Sequence, residues 1–146
     1  MKKRKGQALV EFALVFPFFL LIVIGGIVDF GFAFYNHLTL QQIANNAAKY
    51  AAYNNASQIQ VSQYANSLKP EWWDGNFTVN PSEAQYLKTG GKIYQVAVSY
   101  DNPAYTPFYM GMYKLANGRP CIAISASAAY KAPEHLTSTN VQEAAK

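Results

Sequence analysis

From Phe12 to Val28 the chain has no charged or strongly polar residue, and Glu11 and Asp29 bracket the run. At helical rise those seventeen residues cover roughly 26 Å, the short end of what crosses a bilayer. Within lipid each backbone polar group must be satisfied inside the segment, so a lone run of this kind has to be a helix. Pro17 predicts a kink or a loosening of its first turns. Gly25-Gly26 predicts either a flexible point or a place where another helix comes close.

Charge fixes the topology expected for that helix. The formal net charge is +4, and Lys2, Lys3, Arg4 and Lys5 supply all of it. The eight basic residues that remain balance the eight acidic ones. The basic character is thus no argument for nucleic-acid binding. It is an argument for a cytoplasmic N-terminus, because positive charge beside a span stays inside. Residues 1–6 then read as a basic cytoplasmic leader and 7–29 as the transmembrane helix. Residues 30–130 read as one extracytoplasmic domain, and 131–146 as a flexible polar tail.

The junction of leader and span has its own pattern: Gly6-Gln7-Ala8-Leu9-Val10-Glu11-Phe12. A basic stub, a Gly, an acid five places later and an apolar run form the layout of a type IV pilin-like leader. A peptidase cutting after Gly6 needs a small, flexible residue there. The cut would free an α-amine on Gln7. A carboxylate at the apolar edge of a span is costly unless paired, so Glu11 is expected to meet such an amine on a neighbouring subunit. The plainer account is a Glu that reaches the polar interface. A secretory signal peptide competes for the whole segment, since its basic start fits and Gly31-Phe32-Ala33 has the small-x-small form of a cleavage site. Against it stand the length of the apolar run and the acid that opens it.

Past Asp29 the helical pattern continues to about Tyr53. Phe30, Phe34 and Leu38 predict one apolar stripe. Ala44, Ala47, Ala48, Ala51 and Ala52 predict a face of small residues lying on the protein's own sheet, or on a neighbouring subunit's helix. From Ala8 to Tyr53 such a helix would be roughly 69 Å long. Tyr53-Asn54-Asn55-Ala56 predicts a break. Ser57 is the expected N-cap of a short amphipathic helix over Ser57–Leu68, ended by Lys69-Pro70. Phe77-Thr78-Val79 predicts a short strand and Thr89-Gly90-Gly91-Lys92 a turn. Ile93–Tyr100 is the clearest strand, with Tyr94, Val96, Val98 and Tyr100 on one face. Residues 101–120 read as a long loop with a helical turn near Phe108–Leu115. Cys121–Tyr130 predicts the last strand, its small face (Cys121, Ala123, Ser125, Ser127, Ala129) toward a helix. The fold class is α+β: a long N-terminal transmembrane pilin-like helix, a short second helix, and a small antiparallel sheet of three or four strands packed on the long helix.

Three stretches together resemble a known family: Gly6–Pro17, then Gly26-Ile27-Val28-Asp29-Phe30-Gly31, then Gln41–Ala52 with Gln42, Ala47-Ala48 and Tyr50-Ala51. They look like the TadE-like family, the pseudopilins or minor pilins of tight-adherence (Tad/Flp) pilus systems. The resemblance is specific over the first fifty residues and looser beyond. It implies a prepilin peptidase, an inner-membrane assembly platform, other pilin-like subunits, and roles in adhesion and biofilm formation. Carried over residue by residue, it marks Gly6 and Glu11, with Gln7 as the new N-terminus. Phe12 stands where major pilins of these systems have Tyr, and the chain is far longer than a major pilin, which implies an accessory or minor role. The expected location is the bacterial cytoplasmic membrane, single-pass, with the C-terminus outside.

No enzyme is expected. His37 and His135 have neither the spacing nor the Cys partners of a metal site. Cys121 is the only cysteine and reads as a small buried strand residue. Gly90-Gly91 lacks the helix and Lys-Ser/Thr of a phosphate loop, and Asp101-Asn102 reads as a turn before it reads as a cation contact. No cofactor or metal is implied. Asn55-Ala56-Ser57 and Asn76-Phe77-Thr78 match the glycosylation pattern, incidental in a bacterial protein. Trp72-Trp73 is the candidate contact surface, since tandem Trp in a loop can stack on a sugar or anchor a partner. The competing expectation is that one of the two caps the core. Two other readings stay open: an unprocessed membrane-anchored accessory protein of the pilus machinery, and a secreted binding module with a signal peptide.

Overall fold

A computed structural model describes residues 4–86 and 91–133. Helix α1 (Arg4–Asn54) runs without interruption through Pro17. It stops where Asn55 takes a left-handed φ of 47°, a conformation that Asn tolerates better than most residues. Ser57 then caps α2 (Gln58–Ser67) with a reciprocal capping box, its side chain accepting from the Gln60 N–H while the Gln60 side chain accepts from the Ser57 N–H. Strands β1 (Phe77–Tyr86) and β2 (Lys92–Pro103) pair antiparallel, α3 (Pro107–Asn117) follows, and β3 (Cys121–Lys131) completes a three-stranded antiparallel sheet in the order β1-β2-β3. The turn expected at 89–92 lies outside the described residues except for Gly91 and Lys92. The tail beyond 133 and His135 also lie outside them.

Three elements depart from the sequence reading. β1 continues well past Val79 because Asn80-Pro81 does not break it. Strand order puts β1 at a sheet edge, where a residue without an N–H leaves no ladder bond unmade. The register slips between Ser82 and Gln85, a bulge of the kind edges carry. Residues 107–117 form a true helix where a single turn was expected, with Pro107 in its first turn and Gly118 as a left-handed C-cap, the asymmetric pair of stop and start signals helices favour. In β3 the faces are reversed. Ile124, Ala126, Ala128 and Tyr130 pack on the core, while Ala123, Ser125, Ser127 and Ala129 are exposed. The larger side chains remove more apolar area from water, so they take the inner face. Cys121 is only half-buried, and its thiol is free.

The chain forms two compact units. The first joins the N-terminal stretch through Phe34 to Pro103–Ile122. The second joins Tyr35–Asn102 to the chain from Ala123 onward. The second holds the main core: Leu40, Ile43 and the five alanines of α1 meet Val61 and Ala65 of α2 and the Tyr94-Val96-Val98-Tyr100 face of β2. Those alanines are at most 1 % exposed. Lacking side chains beyond Cβ, they let sheet and α2 come close to the α1 backbone. Tyr50 stacks on Tyr64 at 4.3 Å between ring centroids, tying α1 to α2. Phe34 and Leu38, expected to form an apolar stripe with Phe30, are exposed. The buried face of this unit begins instead at Asn36 and Leu40.

Candidate functional site

The segment from Gly6 to Glu11 is exposed in the first unit. Gly6 has no atom within 4 Å of where a Cβ would lie, and Leu9, Val10, Phe12, Leu14 and Val15 are all exposed. The Gln7 side-chain amide donates to a Glu11 carboxylate oxygen at 3.2 Å, an exposed one-turn pairing worth a few tenths of a kcal/mol. Only 6 % of the most apolar window of α1 is buried, and this helix is long and apolar enough to cross a membrane.

At the far end of that apolar run the chain returns to it. Asp29 is 2 % exposed, and its carboxylate accepts from the Tyr105 N–H at 2.8 Å, the Thr106 N–H at 3.1 Å and the Thr106 hydroxyl at 2.5 Å. The N-cap Thr106 makes no side-chain cap bond to its own helix. Asp29 therefore serves as a cap borrowed from another element, a carboxylate set where the helix dipole favours negative charge. The two glycines explain how α3 gets so near. A Cβ on Gly25 would lie 3.2 Å from the Thr106 hydroxyl, and one on Gly26 would lie 2.6 Å from the Tyr109 hydroxyl. Tyr109 donates to the Ile22 carbonyl at 3.3 Å and meets the Phe30 ring edge-on. The close approach expected at Gly25-Gly26 is thus made by the chain's own third helix. Tyr113 is buried beside Tyr109, and its hydroxyl has no hydrogen-bond partner. Burial pushes that phenol upward, and the Asp29 carboxylate adds to the shift.

The two tryptophans part ways. Trp73 is 2 % exposed; it stacks on Tyr100 at 4.2 Å and donates its indole N–H to Asn36 Oδ1 at 3.0 Å. Asn36 in turn donates to Asn102 Oδ1 at 2.6 Å. The joint contact surface expected of Trp72 and Trp73 is therefore not formed, because a buried amide network and an aromatic face draw Trp73 inward. Trp72 alone stays exposed, at 62 %. Asp101-Asn102 is strand, not turn: Asn102 belongs to this network, and Asp101 accepts from the Asn76 side chain. The buried Asn36 and the Asp29 cap were both missed from sequence. The available signal was a polar residue at helical spacing from Leu40, Ile43 and Ala47, which are core.

The second unit also holds a half-open cavity of about 220 Å³, lined by Ala51, Ser57, Val61, Pro81, Tyr94 and Gln95 among others, with no charged side chain. Among the described residues, no three His, Cys, Asp or Glu side chains are grouped to hold a metal ion.

A family model described as TadE-like protein matches residues 6–49, the stretch that carries the resemblance seen in the sequence. No curated protein and no solved structure matches the chain.

Proposed function

We propose that this chain is a pilin-like structural or assembly component of a Tad-type pilus, a pseudopilin or minor pilin. Its N-terminal helix anchors it in the bacterial cytoplasmic membrane, N-terminus inside, and a prepilin peptidase cuts it after Gly6. One observation carries the reading: the TadE-like match covers the same residues that present an exposed Gly6, a Glu11 one turn beyond Gln7, and an apolar stretch bare from Leu9 to Ile24. Such a surface has to be covered by lipid before assembly and by other helices after it. The freed amine of Gln7 and the carboxylate of Glu11 offset each other's desolvation there.

Mass spectrometry of the protein extracted from its native membrane tests the cut. A chain beginning at Gln7 is the expected result, and Gly6→Leu should leave the leader on. Glu11→Ala should fold and insert normally yet fail to enter assemblies; normal piliation in that variant counts against the role given to Glu11. An intact Met1 in the native protein would favour an unprocessed accessory protein, a reading supported by the helical backbone at Gly6, since α1 already begins at Arg4. A start near Phe34 would mean a cleaved signal peptide.

A further inference from the structure

Among the described residues, none covers the outward face of α3. Phe108, Met112 and Leu115 follow one another at i, i+4 and i+7 and are 50 %, 40 % and 90 % exposed. Met110, on the other side of the helix, is 42 % exposed. The opposite face, Tyr109 and Tyr113, turns inward. In water, a row of large apolar side chains on an eleven-residue helix is an unusual cost. The depth at which α3 is held says what covers it. Its first turn sits against Gly25 and Gly26, and the Tyr109 hydroxyl reaches the Ile22 carbonyl. Ile22 lies six residues inside the Val28 end of the apolar run, roughly 9 Å along the helix. A segment docked at that level shares the medium that covers the run itself.

We infer that α3 is an interfacial membrane helix, lying at the bilayer face where the span ends, with Phe108, Met112 and Leu115 in the acyl-chain boundary. The partner is lipid, and the proposal rests on the membrane anchoring put forward above. Three features fit a site short of water. The N–H groups of Tyr105 and Thr106, just ahead of α3, are met by a carboxylate from the same unit, as donors must be where solvent does not reach. The Tyr109 hydroxyl uses the spare lone pair of a helix carbonyl. Lys114, on the flank of the apolar stripe, has a stem long enough to bring its ammonium to the headgroups.

Site-directed spin labelling of the full chain tests this in vesicles of phosphatidylethanolamine and phosphatidylglycerol. With Cys121→Ser as background, a nitroxide is placed at Leu115→Cys, at Leu20→Cys within the span, and at Ser125→Cys on the exposed face of β3. The expected result is that Leu115 resembles Leu20, with collisions with oxygen exceeding those with a water-soluble nickel complex several-fold, while Ser125 shows the reverse. A Leu115 label as open to nickel as Ser125 would place α3 in water and overturn the proposal. A Leu115 label shielded from both reagents would mean that protein, such as a second copy of this chain, covers the face, and would overturn it equally. A nickel-accessible Leu20 would remove the anchoring itself, a failure separable from that of α3. Because Leu115 is 90 % exposed, its replacement leaves the fold undisturbed.

Discussion

Asn36 is the residue on which the second unit turns. Its amide uses both ends at once, donating to Asn102 and accepting from Trp73. Asn36→Ala would strand the buried Trp73 indole N–H, at about 1–3 kcal/mol, and take one hydrogen bond from the Asn102 amide. We expect a loss of about 2–4 kcal/mol in detergent-solubilised protein, read as a fall in melting temperature with loss of the Trp73 fluorescence environment. Tyr113 is the opposite case. Its buried hydroxyl has no partner, so Tyr113→Phe should leave stability unchanged or raise it by up to about 1 kcal/mol. Its pH behaviour follows from the raised phenol pKa. The folded state holds this proton more tightly than the unfolded chain does. The contribution is therefore intact below about pH 10 and is lost as pH rises through the raised folded value. Melts between neutral and strongly alkaline pH should show a shallower decline in Tyr113→Phe than in the parent. Tyr53, raised first by its hydrogen bond with Tyr130, leaves part of the decline in place.

Among the elements, α3 depends on the smallest residues of α1. Gly26→Ala puts a methyl 2.6 Å from the Tyr109 hydroxyl. That atom ends a side chain that can swing, so the cost is the lost bond to Ile22 and some repacking, about 1–2 kcal/mol. Adding Tyr109→Phe should relieve the repacking but not restore the bond to Ile22, whereas Gly26→Val should not be rescued. Hydrogen exchange at the α3 amides measures both. The sequence made some of these elements plain and hid others for physical reasons. Tyr94 to Tyr100 alternated cleanly because β2 is central and buries one face in the core. The capping box at Ser57 and the alanine face were equally plain. The stripe through Phe30, Phe34 and Leu38 is exposed, because polar Asp29 and Asn36 are the residues that α1 buries there. Hydropathy reads such residues as solvent-facing, although both are buried and hydrogen-bonded within the protein. α3 was read as no more than a helical turn near Phe108–Leu115, because the Pro, Gly and aromatic residues of 101–120 read as a loop, although Pro107 and Gly118 mark its limits. Trp73 was ambiguous in principle, since no local pattern tells which of two adjacent tryptophans finds a partner.

At the scale of the whole molecule the two units are interleaved in sequence, α3 being inserted between β2 and β3. A chain begun at Tyr35 keeps every member of the main buried cluster but strips α3 of Asp29, Gly25, Gly26 and Ile22. It should melt cooperatively and self-associate through the uncovered Tyr109 and Tyr113 face. The Ala104 N–H donates to the Pro120 carbonyl at 3.0 Å, so the ends of the inserted segment are adjacent. About four Gly/Ser residues suffice to replace what lies between them. Light scattering should find that second protein monomeric; continued self-association would place the sticky surface elsewhere. The alanine face of α1 has a further consequence, for descent. With Ala44, Ala47, Ala48, Ala51 and Ala52 at most 1 % exposed, a larger residue at any of them has nowhere to go unless a facing strand or α2 residue shrinks. In lineages that share this fold, those helix positions and their partners are expected to change together or not at all, while the bare side of the same helix drifts freely.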